Sequence, residues 1–382
     1  MRKVKLRDKI VFGILRPFIR LFVKIKYNTT VFKYKLEKGP HVILSNHLTI
    51  LDPLILSSSF SRPVYFMASE DLSSSKYGKL ITFFFNPIYK AKSKSDLAAV
   101  KDCLRVVKAG GTICIFPEGN RSYDGNLCNI TDSIAKMVKL LKVPVVLYNI
   151  KGGYGTDPRW CKRGRKGPSY TRVKRVLSIE EINELTNEEL YDLIVRELTV
   201  PQVPTIVPYK SNQKAEGLER ILYICPKCGK LHGIYTKGDY VYCKYCDLTV
   251  KYNEYLKFEC EDESFKYNYV YEWYNQQKDY VKTYTLDKKF EYFDDEVTIF
   301  TVEKGSVRKA LKTGRLSMNN ATIAVEDLSF DLSTVENITI LGKHKMNMYF
   351  QGKTYQFIGN DSCNMVKYLH MYCHLYNKEE TV

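Results

Sequence analysis

Residues 40–210 alternate short apolar runs with stretches of helical period. His41-Val42-Ile43-Leu44-Ser45 and Pro63-Val64-Tyr65-Phe66-Met67-Ala68 predict buried strands. Leu97 to Val107 predicts a helix that stops at Ala109-Gly110-Gly111. Thr112-Ile113-Cys114-Ile115-Phe116 predicts the next strand, Asp132 to Leu141 a helix, and Val143-Pro144-Val145-Val146-Leu147-Tyr148 another strand. Residues 179–199 form an acidic amphipathic helical stretch. Strands alternating with helices predict an α/β layer architecture, whose ligands sit at the carboxyl ends of the strands. Beyond residue 255 the pattern shortens to an alternation of two. Met346-Asn347-Met348-Tyr349-Phe350, Gln351-Gly352-Lys353 and Tyr355-Gln356-Phe357 predict a hairpin, and Val366, Leu369, Cys373 and Tyr376 mark one stripe of a final helix.

The amino-terminal 30 residues have their own pattern. Val11, Leu15, Phe18, Phe22 and Ile25 recur at helical spacing, and Arg16, Arg20 and Lys24 follow a second stripe. Arg2, Lys3, Lys5, Arg7 and Lys9 add charge beside it. A basic amphipathic helix of this kind lies in the headgroup layer of an anionic membrane, with a kink or a new segment expected at Pro17. The alternative is a helix packed on the protein's own core. The arginines interrupt any signal-peptide pattern, and no run approaches the roughly 20 apolar residues of a spanning helix. The expectation is therefore a cytoplasmic protein held peripherally at a membrane.

Five segments follow: a membrane-interface element over 1–30, a catalytic domain over 31–200, a linker over 201–220 rich in proline and polar residues, a cysteine module over 221–250, and a β-rich domain over 251–382. A chain of 382 residues accommodates two or three domains. Its formal net charge of +17 points to polyanions as partners without choosing among nucleic acid, anionic lipid, acidic carrier proteins and phosphorylated substrates. Eleven cysteines, an odd number with seven scattered singly, argue against a disulfide framework and for a reducing compartment.

Two strings carry the chemistry. Asn46-His47-Leu48-Thr49-Ile50-Leu51-Asp52-Pro53 places an imidazole and a carboxylate five positions apart. On one regular helix they would be turned about 140° from each other. His47 is therefore expected in a loop, with Asp52 capping the next helix and Pro53 at its first position. A neutral imidazole takes a proton from an attacking hydroxyl, and a carboxylate fixes its tautomer. Phe116-Pro117-Glu118-Gly119-Asn120-Arg121-Ser122 sets an acid and a base around a tight turn. Arg121 suits a phosphate and Glu118 suits glycerol hydroxyls. Lys90 and Lys92 are a second cationic source. Taken singly, either string also fits a capped loop or a surface ion pair.

Together the strings resemble the signature blocks of the glycerophospholipid acyltransferase family, which includes the lysophosphatidic acid acyltransferases. The family's Asn-His-x-x-x-x-Asp block matches Asn46, His47 and Asp52. Its Phe-Pro-Glu-Gly-Thr-Arg-Ser block matches Phe116 to Ser122, with Asn120 in place of threonine, and its apolar Val-Pro block matches Val143 to Val146. Its remaining block ends in a basic residue, a place that Lys90 or Lys92 would fill. Leu48-Thr49 stands where Gln-Ser is frequent, which bears on acceptor preference. The resemblance spans roughly residues 30–180. It implies transfer of a fatty acyl group from an acyl-carrier-protein or coenzyme A thioester to lysophosphatidic acid, giving phosphatidic acid, with glycerol 3-phosphate or another lysolipid as alternative acceptors. It implies His47 as base, Asp52 as its orienter, and Glu118, Gly119 and Arg121 as substrate contacts. It requires neither a covalent intermediate nor a catalytic cofactor.

Cys225-Pro226-Lys227-Cys228 and Cys243-Lys244-Tyr245-Cys246 are two knuckles whose four thiolates make the closed set of a structural zinc ribbon, with a hairpin between them. His232 is left outside that set. The strands and closing helix beyond it are similar to a pleckstrin-homology or GRAM-like module. The eight cations between Arg159 and Arg175 suit an acidic carrier protein or anionic lipid. A nucleic-acid-binding zinc protein is the rival from another class, but the basic residues are densest away from the ribbon. A silent lipid-binding scaffold is a second rival; it would have no need of His47, Asp52, Glu118 and Arg121 together.

Overall fold

The computed structural model describes residues 4, 6–69, 72, 78–90, 97–283, 295–303, 307–378 and 380. Lys92, Arg2, Lys3 and Lys5 lie outside the described residues. The chain divides into two compact units, residues 1–158 with 165–202, and residues 159–164 with 203–382.

The first unit is built on a seven-stranded sheet. Its strands are β1 (Thr29–Thr30), β2 (Val42–Ser45), β3 (Val64–Ser69), β4 (Ile88–Lys90), β5 (Thr112–Ile115), β6 (Val145–Lys151) and β7 (Ser169–Leu177), in the order β1-β7-β6-β2-β5-β3-β4. β6, β2, β5, β3 and β4 run parallel, and β7 returns antiparallel to β6. Every residue of β2 and β5 is buried, as expected for central parallel strands covered on both faces. The helices are α1 (Leu6–Tyr27), α2 (Asp52–Ser59), α3 (Gly78–Phe85), α4 (Leu97–Lys108), α5 (Ser133–Leu141), the single turn α6 (Gly153–Thr156), α7 (Ile179–Glu184) and α8 (Asn187–Leu198). The main core joins Val42, Leu44, Ile113 and Val145 of the sheet to Cys103, Val138 and Ile194 of α4, α5 and α8. The acidic stretch over 179–199 is two helices. Ser178 with Glu181 and Thr186 with Glu189 each form a reciprocal capping box, so the chain restarts at Thr186.

α1 follows its expected pattern in part. It runs unbroken through Pro17, and Phe12, Ile19 and Val23 face inward. Ile19 and Val23 pack on Ile55 of α2. Arg16 donates to the Phe60 carbonyl at 2.9 Å, and Arg20 donates through Nε to the Ser58 carbonyl at 2.8 Å. These guanidiniums therefore satisfy the carboxyl end of α2, where backbone carbonyls lack helical partners. Phe18, Phe22 and Ile25 are exposed as expected, but Leu15 belongs to the packed face.

The second unit holds a four-stranded sheet, β11-β10-β9-β8, from β8 (Ile234–Lys237), β9 (Tyr240–Cys243), β10 (Thr249–Tyr252) and β11 (Phe258–Glu259). After α9 (Val270–Thr283) comes a seven-stranded antiparallel sheet. Its strands are β12 (Asp295–Val302), β13 (Arg308–Met318), β14 (Thr322–Val325), β15 (Leu328–Asp331), β16 (Val335–Leu341), β17 (Lys345–Phe350) and β18 (Lys353–Gly359). Two meanders, β12–β15 and β16–β18, join where β12 pairs with β18, and α10 (Val366–Leu375) follows. Residues 203–220, expected within a linker, are part of this unit, with Tyr209, Ala215, Leu218 and Arg220 buried. Proline and polar content there reflects irregular backbone rather than solvation: Ala215 donates to the Gly238 carbonyl at 3.0 Å, and Tyr209 to that of Glu254 at 2.8 Å.

Candidate active site

β2 delivers the chain to its carboxyl end, where Asn46 grips the neighbouring strand β6. Its side chain donates to the Ile150 carbonyl and accepts from the Ile150 amide, both at 2.9 Å. That two-sided bond fixes where the next residue, His47, leaves the sheet. His47 Nδ1 lies 2.9 Å from Asp52 Oδ2. A carboxylate accepts only, so Nδ1 is the donor in this contact, and in the neutral ring Nε2 keeps the lone pair.

Asp52 is fully buried at the first position of α2, with Pro53 beside it. It was expected to cap the helix, but Leu51 holds the cap position and its side chain makes no capping bond. The Asp52 carboxylate turns back on the loop. Oδ2 accepts from the amides of Leu48 at 2.6 Å and Thr49 at 2.8 Å, and Oδ1 accepts from the Thr49 hydroxyl at 2.6 Å. The loop from 47 to 52 is thus wrapped around one carboxylate. The imidazole also stacks on Phe116, the rings 4.3 Å apart and inclined by 22°. Phe116 ends the run that follows β5, so ring and carboxylate hold the histidine from two elements.

Glu118 was expected at a substrate hydroxyl. Its carboxylate is buried and engaged with backbone: Oε1 accepts from the His47 amide at 2.5 Å and Oε2 from the Cys128 amide at 2.8 Å. Burial pushes its pKa up to about 8, against the downward pull of the Cys128 and His47 amides. Ser122 completes the joint by donating its amide to the His47 carbonyl at 3.1 Å. Gly119 makes the turn at φ +70°, a conformation in which a side chain is strained. It is exposed, and Arg121 beside it is half-buried, its amide bonded to Asn120 Oδ1 at 3.1 Å. Nothing in the 118–122 string itself distinguishes a carboxylate that faces substrate from one that braces the loop, since the partners of Glu118 lie elsewhere in the chain.

Lys90 is exposed at the end of β4. Because β2, β5, β3 and β4 are parallel, Lys90 shares the sheet edge that carries His47 and Glu118. It stands two strands from β5, roughly 10 Å at ordinary strand spacing. Cys114 of β5 is fully buried, and burial, with the Asp52 charge nearby, pushes its thiol well above the ordinary range, which disqualifies it as a nucleophile.

In the second unit, the sulfurs of Cys225, Cys228, Cys243 and Cys246 lie within 4.8 Å of one another. Cys225 and Cys246 are 3.6 Å apart and Cys228 and Cys243 3.8 Å, close to the roughly 3.8 Å edge of a tetrahedron with 2.3 Å zinc–sulfur bonds. The set fits a closed metal site. Gly233 stands against it, where a Cβ would come within 2.8 Å of the Cys243 sulfur. His232 turns away, its Nδ1 bonded to the Lys367 ammonium at 2.9 Å.

Residues 24–151 match the family model described as acyltransferase. The chain is 26% identical over 178 residues to the 1-acyl-sn-glycerol-3-phosphate acyltransferase of Borreliella burgdorferi, covering 44% of this chain and 68% of that protein. It is 26% identical over 159 residues to a probable 1-acyl-sn-glycerol-3-phosphate acyltransferase of Mycoplasma pneumoniae, covering 40% of this chain and 58% of that one. Among solved structures, the 1-acyl-sn-glycerophosphate acyltransferase of Thermotoga maritima is similar at 20% identity and a TM-score of 0.43, over 52% of this chain and 82% of that one.

Proposed function

We propose that this chain, whose residues 24–151 form an acyltransferase-family domain, moves a fatty acyl group from an acyl-carrier-protein or coenzyme A thioester to the free hydroxyl of lysophosphatidic acid. The observation that carries this reading is the 2.9 Å contact between His47 Nδ1 and a fully buried Asp52. With Nδ1 protonated, Nε2 of His47 takes the proton of the acceptor hydroxyl as that oxygen attacks the thioester carbonyl. The new C–O bond replaces the C–S bond, and the departing thiolate receives the proton from His47. A positioned base of this kind contributes about 10²–10⁴-fold. Arg121, at the turn beside Gly119, binds the acceptor phosphate, and Lys90 on the same edge adds positive charge. Glu118 acts on position, by tethering the His47 amide to the segment around Cys128.

The acceptor and product are membrane lipids, and α1 supplies a surface for meeting them. Leu6, Ile10, Ile14, Phe18, Leu21 and Ile25 form a helical stripe, each between 56% and 72% exposed. An apolar stripe of this length enters the headgroup and acyl boundary of a bilayer, and Lys9, Lys24 and Lys26 flank it for anionic lipid. Among the described residues no helix is long and apolar enough to cross a membrane. In the second unit the four cysteines hold a structural zinc, and the paired meanders with their closing helix support the similarity to a pleckstrin-homology module.

Purified protein should transfer labelled acyl chains from acyl-carrier protein or acyl-coenzyme A to lysophosphatidic acid in lipid vesicles, and His47→Ala should remove that transfer. Transfer to glycerol 3-phosphate alone would reassign the acceptor. No transfer to either from folded protein would overturn the reading.

A further inference from the structure

The second unit contains a cavity that catalysis does not use. Its volume is about 320 Å³, at the lower end of the roughly 300–1,000 Å³ of small-molecule pockets. Lys162, Arg163, Arg220, Lys343 and His344 line it, from the 159–164 segment, the chain before the first cysteine knuckle and the turn between β16 and β17. Two carboxylates, Glu216 and Asp361, share the wall, so four permanent cations face two anions. No apolar side chain lines the cavity, so it offers nothing to an acyl chain.

The groups are arranged for an anion rather than for each other. Arg220 is 3% exposed, its Nε and Nη1 held by the carbonyls of Asp361 and Trp160 at 2.5 and 2.7 Å. Its Nη2 donates to no acceptor among the described residues. Nη2 is not among the buried atoms that lack a partner, so it faces the open side of the cavity, where a ligand can meet it. His344 presents a second unmet group: Nδ1 is buried without a hydrogen-bond partner, and Asp361 Oδ1 stands 3.7 Å off. Lys343 is positioned by a bond from its ammonium to the Cys161 carbonyl, which leaves two donors. Lys162 reaches Glu216 and Glu219 only at 3.8 Å. Arg163 is exposed and makes no ion pair among the described residues.

We propose that this cavity binds a phosphate group, either on a soluble phosphate ester or in an anionic lipid headgroup, with Arg220 at its floor and Lys162, Arg163 and Lys343 around it. A tetrahedral oxyanion has acceptors enough for a guanidinium and several ammonium donors at once, and charge-assisted bonds of this type are the strong ones. The proposal stands independently of acyl transfer, since every lining residue lies outside residues 24–151.

The test uses the full zinc-loaded chain. Inorganic phosphate and glycerol 3-phosphate are titrated calorimetrically, and cosedimentation is measured with phosphatidylcholine vesicles with and without phosphatidic acid. Arg163→Glu and Lys343→Met are compared with Arg121→Ala, which reports on phosphate held at the other site. Each cavity variant should weaken one of the two kinds of probe by about tenfold, the equivalent of one charge-assisted contact, while Arg121→Ala leaves that component in place. A response in the soluble arm identifies a free phosphate ester, and a response only to phosphatidic acid identifies a headgroup. Binding of both kinds of probe unchanged in both cavity variants, or absent from the unmodified protein, would overturn the proposal.

Discussion

Asp52 and Glu118 are two buried carboxylates beside one histidine, and their surroundings give them different work. Asp52 receives the His47 ring, two amides and a hydroxyl, which fix its carboxylate against the loop. Asp52→Asn should therefore lower acyl transfer by about 10²–10⁴-fold, because an amide can present its NH₂ to Nδ1 and favour the wrong tautomer. Steady-state rates with folding checked by circular dichroism would test this. Glu118 accepts from two backbone amides. Burial raises its folded pKa from 4.5 to about 8, so the native state keeps a proton that the unfolded chain has released. That contribution to stability is present below 4.5 and is lost as pH rises to about 8. Glu118→Gln should flatten this part of the pH profile of thermal unfolding, and should also slow transfer, since an NH₂ group would face one of the two amides that Glu118 now accepts from.

At the scale of elements, α1 links a prospective lipid surface to the loop that carries His47. Its inner face packs on α2, the helix that begins with Asp52, and its arginines hold the end of that helix. Its outer face is apolar. The two faces predict separable effects. Arg20→Ala should lower stability by about 1–3 kcal/mol, because the Ser58 carbonyl loses a charged donor, as denaturant unfolding would measure. Ile14→Glu, on the exposed stripe, should leave the unfolding midpoint unchanged and weaken cosedimentation with vesicles. Equal loss of stability in both variants would show that the outer stripe packs on protein instead.

On the scale of the whole molecule, the cysteine module is a component of the second unit rather than an independent bead. Trp273 of α9 donates to the Ile224 carbonyl at 3.0 Å, beside the first cysteine. Gln277 accepts from the amides of Tyr223 and Ile224 and donates to the Ile221 carbonyl. His232 and Lys367 tie the module to α10, and Lys367 also pairs with Asp295 of β12. A metal held by the four cysteines would therefore be coupled to the order of this unit. Chelation should release zinc and expose the 203–283 region to proteolysis, and Cys228→Ser should do so without chelator. Zinc release with an unchanged protease pattern would show that the packing suffices alone.

The amino-acid sequence alone determined the local features. The β2, β5 and β6 runs, the stop at Gly110, the β17–β18 hairpin and the pairing of His47 with Asp52 follow from spacing, turn chemistry and burial period, all set within a few residues. So did the two cysteine pairs. Tertiary structure decided what each polar group meets. Glu118 reaches an amide 71 residues away, Arg20 a carbonyl 38 residues away, and His232 an ammonium 135 residues away. Periodicity says which face of a segment is buried but not which partner covers it, so the string around Glu118 does not announce its bonds to the His47 and Cys128 amides, nor the Arg16–Arg20 stripe its bonds to the end of α2. The packing of residues 203–220 and the gathering of Lys162, Arg220 and Lys343 around one cavity arise the same way, from contacts between segments far apart in the chain.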